Sequence, residues 1–154
     1  MARVTDFSAE AKDALFAAGW TPGRRVDIAD WCARLTESGV AVHDSAKAFL
    51  AEFGKISIEF SGKGISRARE AFSIDPSLCL GEEGRFFEWG QLIGKIIVPV
   101  GELDEGRSFL GIDEDGAIYL VVDWLGKFGS GCAGIESLVL GVAPETIYDS
   151  YPKS

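Results

Sequence analysis

Between residues 96 and 124, three apolar stretches alternate with two short acidic turns that end in glycine. Ile96–Leu103 leads into Asp104-Glu105-Gly106, Arg107–Ile112 leads into Asp113-Glu114-Asp115-Gly116, and Ala117–Trp124 follows. Short Asp/Glu-Gly loops between apolar runs signal β-hairpins. Two successive hairpins make a three-stranded antiparallel meander, and the rest of the chain must then cover a sheet. Pro99 has no N–H for a ladder, so its strand has an edge or a bulge there.

Five segments carry helical periodicity, and each meets a glycine. Ala11, Ala14, Leu15 and Ala18 form one stripe, with Ser8 as N-cap and Gly19 beyond the end. Ile28, Trp31, Cys32 and Leu35 form the next, with Asp27 as cap, Asp30 in the first turn and Gly39 as the stop. Ala46, Phe49, Leu50 and Phe53 repeat the spacing before Gly54. Phe86, Trp89 and Ile93 follow Glu82 and Glu83 and precede Gly94. Ile135, Leu138, Val139 and Val142 lie around Gly141. Such stripes bury one helix face, and acid at the start suits the helix dipole. Ile56, Ile58 and Phe60 alternate with polar residues, and so do Phe72 and Ile74 before Asp75-Pro76, as half-buried strands do. The order ααα-ββ-α-βββ-α predicts an α+β fold. An antiparallel sheet of about five to six strands carries helices mainly on one face. Residues 1–154 read as a single domain, since no linker or repeat divides them.

The chain carries 15 basic and 24 acidic residues, a net charge of −9. Residues 1–77 hold 10 basic and 11 acidic side chains, and residues 78–154 hold 5 and 13. A negative half repels phosphate backbones, so direct nucleic-acid binding is disfavoured, while a basic protein is attracted. The longest apolar run, Ala117–Val122, is six residues, far short of the roughly 20 a membrane helix needs. Met1–Asp6 lacks the apolar region of a secretory signal. Three widely spaced cysteines, Cys32, Cys79 and Cys132, read as reduced, buried thiols of a cytoplasmic protein.

No catalytic, cofactor or metal site is expected. Gly129-Ser130-Gly131-Cys132-Ala133-Gly134 matches a dinucleotide turn, but too little chain follows it for the returning parallel strand. It reads as a glycine-rich connection. The turn at Asp113–Gly116 lacks the end ligands of a calcium loop, since Gly111 and Val122 hold those positions. His43 is the sole histidine and stands near a helix cap, without a nucleophile or zinc signature around it. Lys63, Arg67 and Arg69 form a basic run in or after a loop, Ser61–Ser66, that reads as mobile. Trp20, in the linker with Pro22, Gly23, Arg24 and Arg25, is expected to plug the core, with an arginine paired to Asp27 or Asp30. The partner-facing candidates are Phe87, off the main stripe of its helix, and three acidic stretches. These are Glu82, Glu83 and Glu88; Glu102, Asp104 and Glu105; and Asp113, Glu114 and Asp115. The last two occupy successive turns, which fall at opposite ends of a meander.

The sequence resembles the SUKH superfamily of bacterial immunity proteins, in particular its third group. The matching residues are Gly19-Trp20 with Pro22-Gly23-Arg24 and Val26, then Phe49-Leu50 with Phe53-Gly54. Pro99-Val100-Gly101-Glu102, Ile112-Asp113 with Gly116 and Tyr119, and Leu125-Gly126 ahead of a last helix ending at Gly141 follow in order. Lys55 departs from the pattern, which usually has a second small residue after Phe53-Gly54. The resemblance implies a SUKH-like α+β domain that is not an enzyme. It also implies a cytoplasmic protein that binds and neutralises a cognate toxin, a nuclease or another nucleic-acid-targeting effector. A basic toxin would suit the acidic half. The alternative is an intracellular scaffold or regulatory module without a toxin partner. A hydrolytic carboxylate enzyme is a third reading, and would need a buried acid with a raised pKa.

Overall fold

The computed structural model describes residues 6–59, 64–66 and 70–152. Phe60, the first half of the Ser61–Ser66 loop and the basic run Lys63, Arg67 and Arg69 lie outside the described residues. Among the described residues five α-helices form: α1 Ala9–Ala17, α2 Ala29–Glu37, α3 Asp44–Phe53, α4 Glu83–Ile93 and α5 Cys132–Leu140. The described residues also form seven strands: β1 Ser57–Ile58, β2 Phe72–Ser73, β3 Val98–Leu103, β4 Ser108–Ile112, β5 Ala117–Val121, β6 Leu125–Ser130 and β7 Glu145–Tyr148. They make one sheet in the order β1-β2-β3-β4-β5-β6-β7, every neighbouring pair antiparallel. The α+β class and the meander are as expected. Two strands exceed the pattern: β6 follows β5 and runs into the start of the glycine-rich connection, and β7 follows α5.

The helix signals act locally much as their residues require. The Ser8 hydroxyl accepts from the Ala11 N–H at 3.3 Å and starts α1. Gly94 and Gly141 end α4 and α5 in the left-handed conformation. Asp27 still serves the start of α2 by accepting from the Ala29 N–H at 2.9 Å, although Ile28 occupies the cap position. In β3 the register shifts between Pro99 and Gly101, which is the bulge the proline calls for.

The sheet separates two cores. Ile118 and Leu120 of β5 face one, with Val98, Val100, Leu110 and Ile112 from β3 and β4. Helices α1, α2, α3 and α5 contribute their buried residues to this side, among them Leu15, Leu35, Leu50 and Leu138. Ala117, Tyr119 and Val121 face the other core, which α4 covers with Phe86 and Trp89. Strand β5 is thus buried on both faces, which is why it reads as an unbroken apolar run. The α3–β1 junction is tight. A Cβ on Gly54 would stand 2.3 Å from the Leu50 carbonyl oxygen and 2.6 Å from the Trp31 ring, so only glycine fits. Lys55 then takes φ +68°, the left-handed region that costs a side-chain-bearing residue energy.

Candidate partner-binding surface

The Trp20 element is structural in its contacts. Trp20 is fully buried and stacks on Phe53 at 6.1 Å between ring centroids. Its indole N–H donates to the Glu52 carboxylate at 3.0 Å, and the Arg24 guanidinium donates to the Glu52 backbone oxygen at 2.7 Å. The expected pairing of an arginine with Asp27 or Asp30 does not form, because Arg24 reaches the end of α3 instead. Pro22 and Gly23 make the exposed turn that brings it there. One residue, Glu52, thereby fastens both halves of the α1–α2 linker.

The acidic candidates divide among several environments. Glu82 pairs with Arg85 at 3.0 Å, and Glu83 accepts from the Gly81 N–H at 2.9 Å, so both are engaged at the start of α4. Glu88 is exposed. Asp104, in the β3–β4 turn, pairs with Arg107 at 3.3 Å. Glu102 and Glu105 line a cleft with Glu59 and Ser57, of about 510 Å³, at the β1–β2–β3 end of the sheet.

Asp113 requires a correction. It was expected among the partner-facing residues, yet its side chain is only 1% exposed. Its carboxylate accepts from the Asp115 N–H at 2.9 Å, the Ala117 N–H at 3.0 Å and the Tyr119 hydroxyl at 2.8 Å. These bonds hold the β4–β5 turn closed, and the burial of the Tyr119 phenol, with the bond to Asp113, pushes its pKa well up. Asp113 therefore serves the fold and leaves its two neighbours outside. Asp115 pairs with Lys95 at 2.5 Å, which holds its carboxyl below and the ammonium above their ordinary values. Glu114 accepts from the Ile96 N–H at 2.8 Å.

Those contacts bring the β4–β5 turn to the rim of an apolar groove of about 520 Å³ between the Gly39–Ala41 turn and α4. Phe87 and Ile96 line it and are each 45% exposed, and Glu114 closes one end. The structure thus joins Phe87 with Glu114 and separates both from Glu102, Asp104 and Glu105. Those three stand at the far end of β3 and β4. Ile96 was missed. It opens the run Ile96-Ile97-Val98, whose next two residues are buried in opposite cores, and nothing in the run marks its first residue as outward.

The remaining motifs have structural uses. A Cβ on Gly134 would stand 2.7 Å from the Gly129 oxygen and 2.9 Å from Ile118, so the glycines of 129–134 let α5 lie directly against β6 and β5. His43 caps α3: its Nδ1 accepts from the Ala46 N–H at 3.1 Å, and its Nε2 lies 3.0 Å from the Ile96 oxygen and 3.2 Å from the Ile112 oxygen. Among the described residues no group of three or more His, Cys, Asp or Glu is placed to hold a metal ion.

Fold and groove together define an α+β domain with an apolar groove beside its sheet. Comparison with family models matches residues 7–141 to the SUKH-3 immunity protein family, and the chain belongs to that family. Neither a search of curated proteins nor a search of solved structures found a match. Among the described residues no helix is long and apolar enough to cross a membrane.

Proposed function

We propose that this protein is a non-catalytic immunity protein that binds a cognate toxin and neutralises it in the cytoplasm of the cell that makes both. Membership of the immunity-protein family carries the reading. The net charge of −9 supports a basic toxin, a nuclease or another effector that grips phosphate backbones. Opposite charge speeds the encounter and makes it sensitive to salt. Phe87 and the accessible carboxylates Glu82, Glu83, Glu88, Glu114 and Asp115 are the contact groups, while Glu102, Asp104 and Glu105 stand at the other end of the sheet. Trp20, Pro22, Gly23 and Arg24 serve the scaffold. No cofactor, metal, nucleic acid or membrane takes part.

The test is co-expression with the toxin encoded beside its gene. Growth is expected to return when this protein is present and to stay arrested when it is absent. A toxin that kills equally with and without it would overturn the reading and favour the scaffold alternative.

A further inference from the structure

Resting on the toxin reading above, we infer that the groove between the Gly39–Ala41 turn and α4 is where the toxin docks. Its occupant is a toxin segment carrying a large apolar side chain beside a lysine or arginine. The apolar group lies between Phe87 and Ile96, and the cation meets Glu114.

The apolar half of the match rests on exposure. Phe87 and Ile96 are each 45% exposed, whereas their neighbours Phe86 and Ile97 are 1% and 4% exposed and already complete the core beneath. The Phe87 ring rests on the bare backbone of Gly39, where a Cβ would stand 3.9 Å from Cζ. Large apolar side chains gathered on a concave surface mark interaction sites, and aromatic anchors carry much of the energy of tight interfaces.

The charged half rests on neutralisation. Two ionised side chains line the groove, Lys95 and Glu114. Lys95 is paired with Asp115 at 2.5 Å. Among the described residues Glu114 has no ion pair; one carboxylate oxygen takes the Ile96 N–H at 2.8 Å and the other has no hydrogen bond. The groove therefore offers an apolar slot with a carboxylate at its rim that makes no direct ion pair. The cleft with Glu102 and Glu105 stands at the other end of β3, roughly 20 Å away at about 3.4 Å per strand residue. It lies outside this contact.

Calorimetric titration of the toxin domain into the purified protein, at low and physiological salt, tests the assignment. Phe87→Ala is expected to weaken binding about 30-fold or more, the loss typical of a hot-spot anchor. Glu114→Gln keeps the acceptor for the Ile96 N–H and removes only the charge. It should weaken binding roughly 3- to 10-fold and flatten the salt dependence. Glu102→Gln with Glu105→Gln should stay within about twofold. Thermal melts check that each variant folds, and Ile96→Ala gives a second view of the same slot. Binding by Phe87→Ala and Ile96→Ala within about twofold of the parent overturns the inference while leaving the toxin reading intact. Sedimentation of the protein alone that shows a Phe87-dependent dimer, unaffected by toxin, gives the groove to a second copy and also overturns it. A parent protein that neither binds nor protects removes the toxin reading and this inference with it.

Discussion

Replacing Asp113 by alanine removes the acceptor for three donors at once: the N–H groups of Asp115 and Ala117 and the hydroxyl of Tyr119. The Asp115 N–H is only partly buried and turns to water at little cost. The other two donors are buried and have no second acceptor. An orphaned buried donor costs about 1–3 kcal/mol, so the two together cost about 4 kcal/mol. For a chain of this size that corresponds to a fall in Tm of roughly 8–16 °C. Urea and thermal melts measure it directly. Asp113→Asn retains an oxygen for both N–H groups, and the Tyr119 hydroxyl turns to accept from the new amide, so its loss should be about 1 kcal/mol. Tyr119→Phe removes one donor and should cost about 1–2 kcal/mol. Because Asp113→Ala and Tyr119→Phe remove the same bond, their double variant should be more stable than the sum of the two single losses predicts, by about 1 kcal/mol. An Asp113→Ala protein that melts within about 1 kcal/mol of the parent would refute the view that this carboxylate holds the turn.

Three further outcomes are expected. Lys55→Gly should stabilise the protein by about 0.5–1 kcal/mol, because release of the left-handed strain exceeds the entropy glycine adds to the unfolded chain. Lys55→Ala, which keeps the strain, should gain nothing, and urea melts of the pair distinguish them. Burial raises the Cys79 thiol from 9.0 to about 12. The folded state keeps this proton while the unfolded chain loses it, so the stabilisation is full below pH 9 and is lost as pH rises towards 12. Stability should fall by up to about 1.4 kcal/mol per pH unit in that window, and Cys79→Ala should flatten the decline although it lowers stability at neutral pH. Gly54→Ala should destabilise by several kcal/mol, since the new methyl meets the Leu50 carbonyl and the Trp31 ring with no flexible neighbour to yield; thermal melts read this as well.

How much of this was legible depends on whether a residue's role is set by its near neighbours. The hairpins of β3, β4 and β5 could be read because Asp, Glu and Gly cluster between apolar runs. Strand β6 could not, because Gly126 and Gly129 interrupt its alternation and the ladder to β5 holds it in place. Strand β7 lies at the sheet edge and carries no buried residue to mark it. Phe87 was legible as a candidate because it stands off the buried stripe of α4. Asp113, Glu114 and Asp115 look alike in sequence, and only the closing of the turn sends the first inward and leaves its neighbours outside. The partner of Trp20 and Arg24 was hidden for a different reason: Glu52 lies on another helix, 32 residues from Trp20.

The strictly sequential sheet has a consequence for how the protein is made. Every strand pairs only with the strand before and after it, so each finds its partner as soon as it leaves the ribosome. The helical layer is different. The Ser8 N–H at the start of α1 donates to Glu136 of α5, 128 residues later in the chain. At about 5–20 residues per second, roughly 6–26 s separate the synthesis of those two contacts. During that interval the growing sheet lacks the helix that completes one of its faces. A nascent chain that has emerged only as far as residue 131 would therefore have its hairpins formed and that face still open.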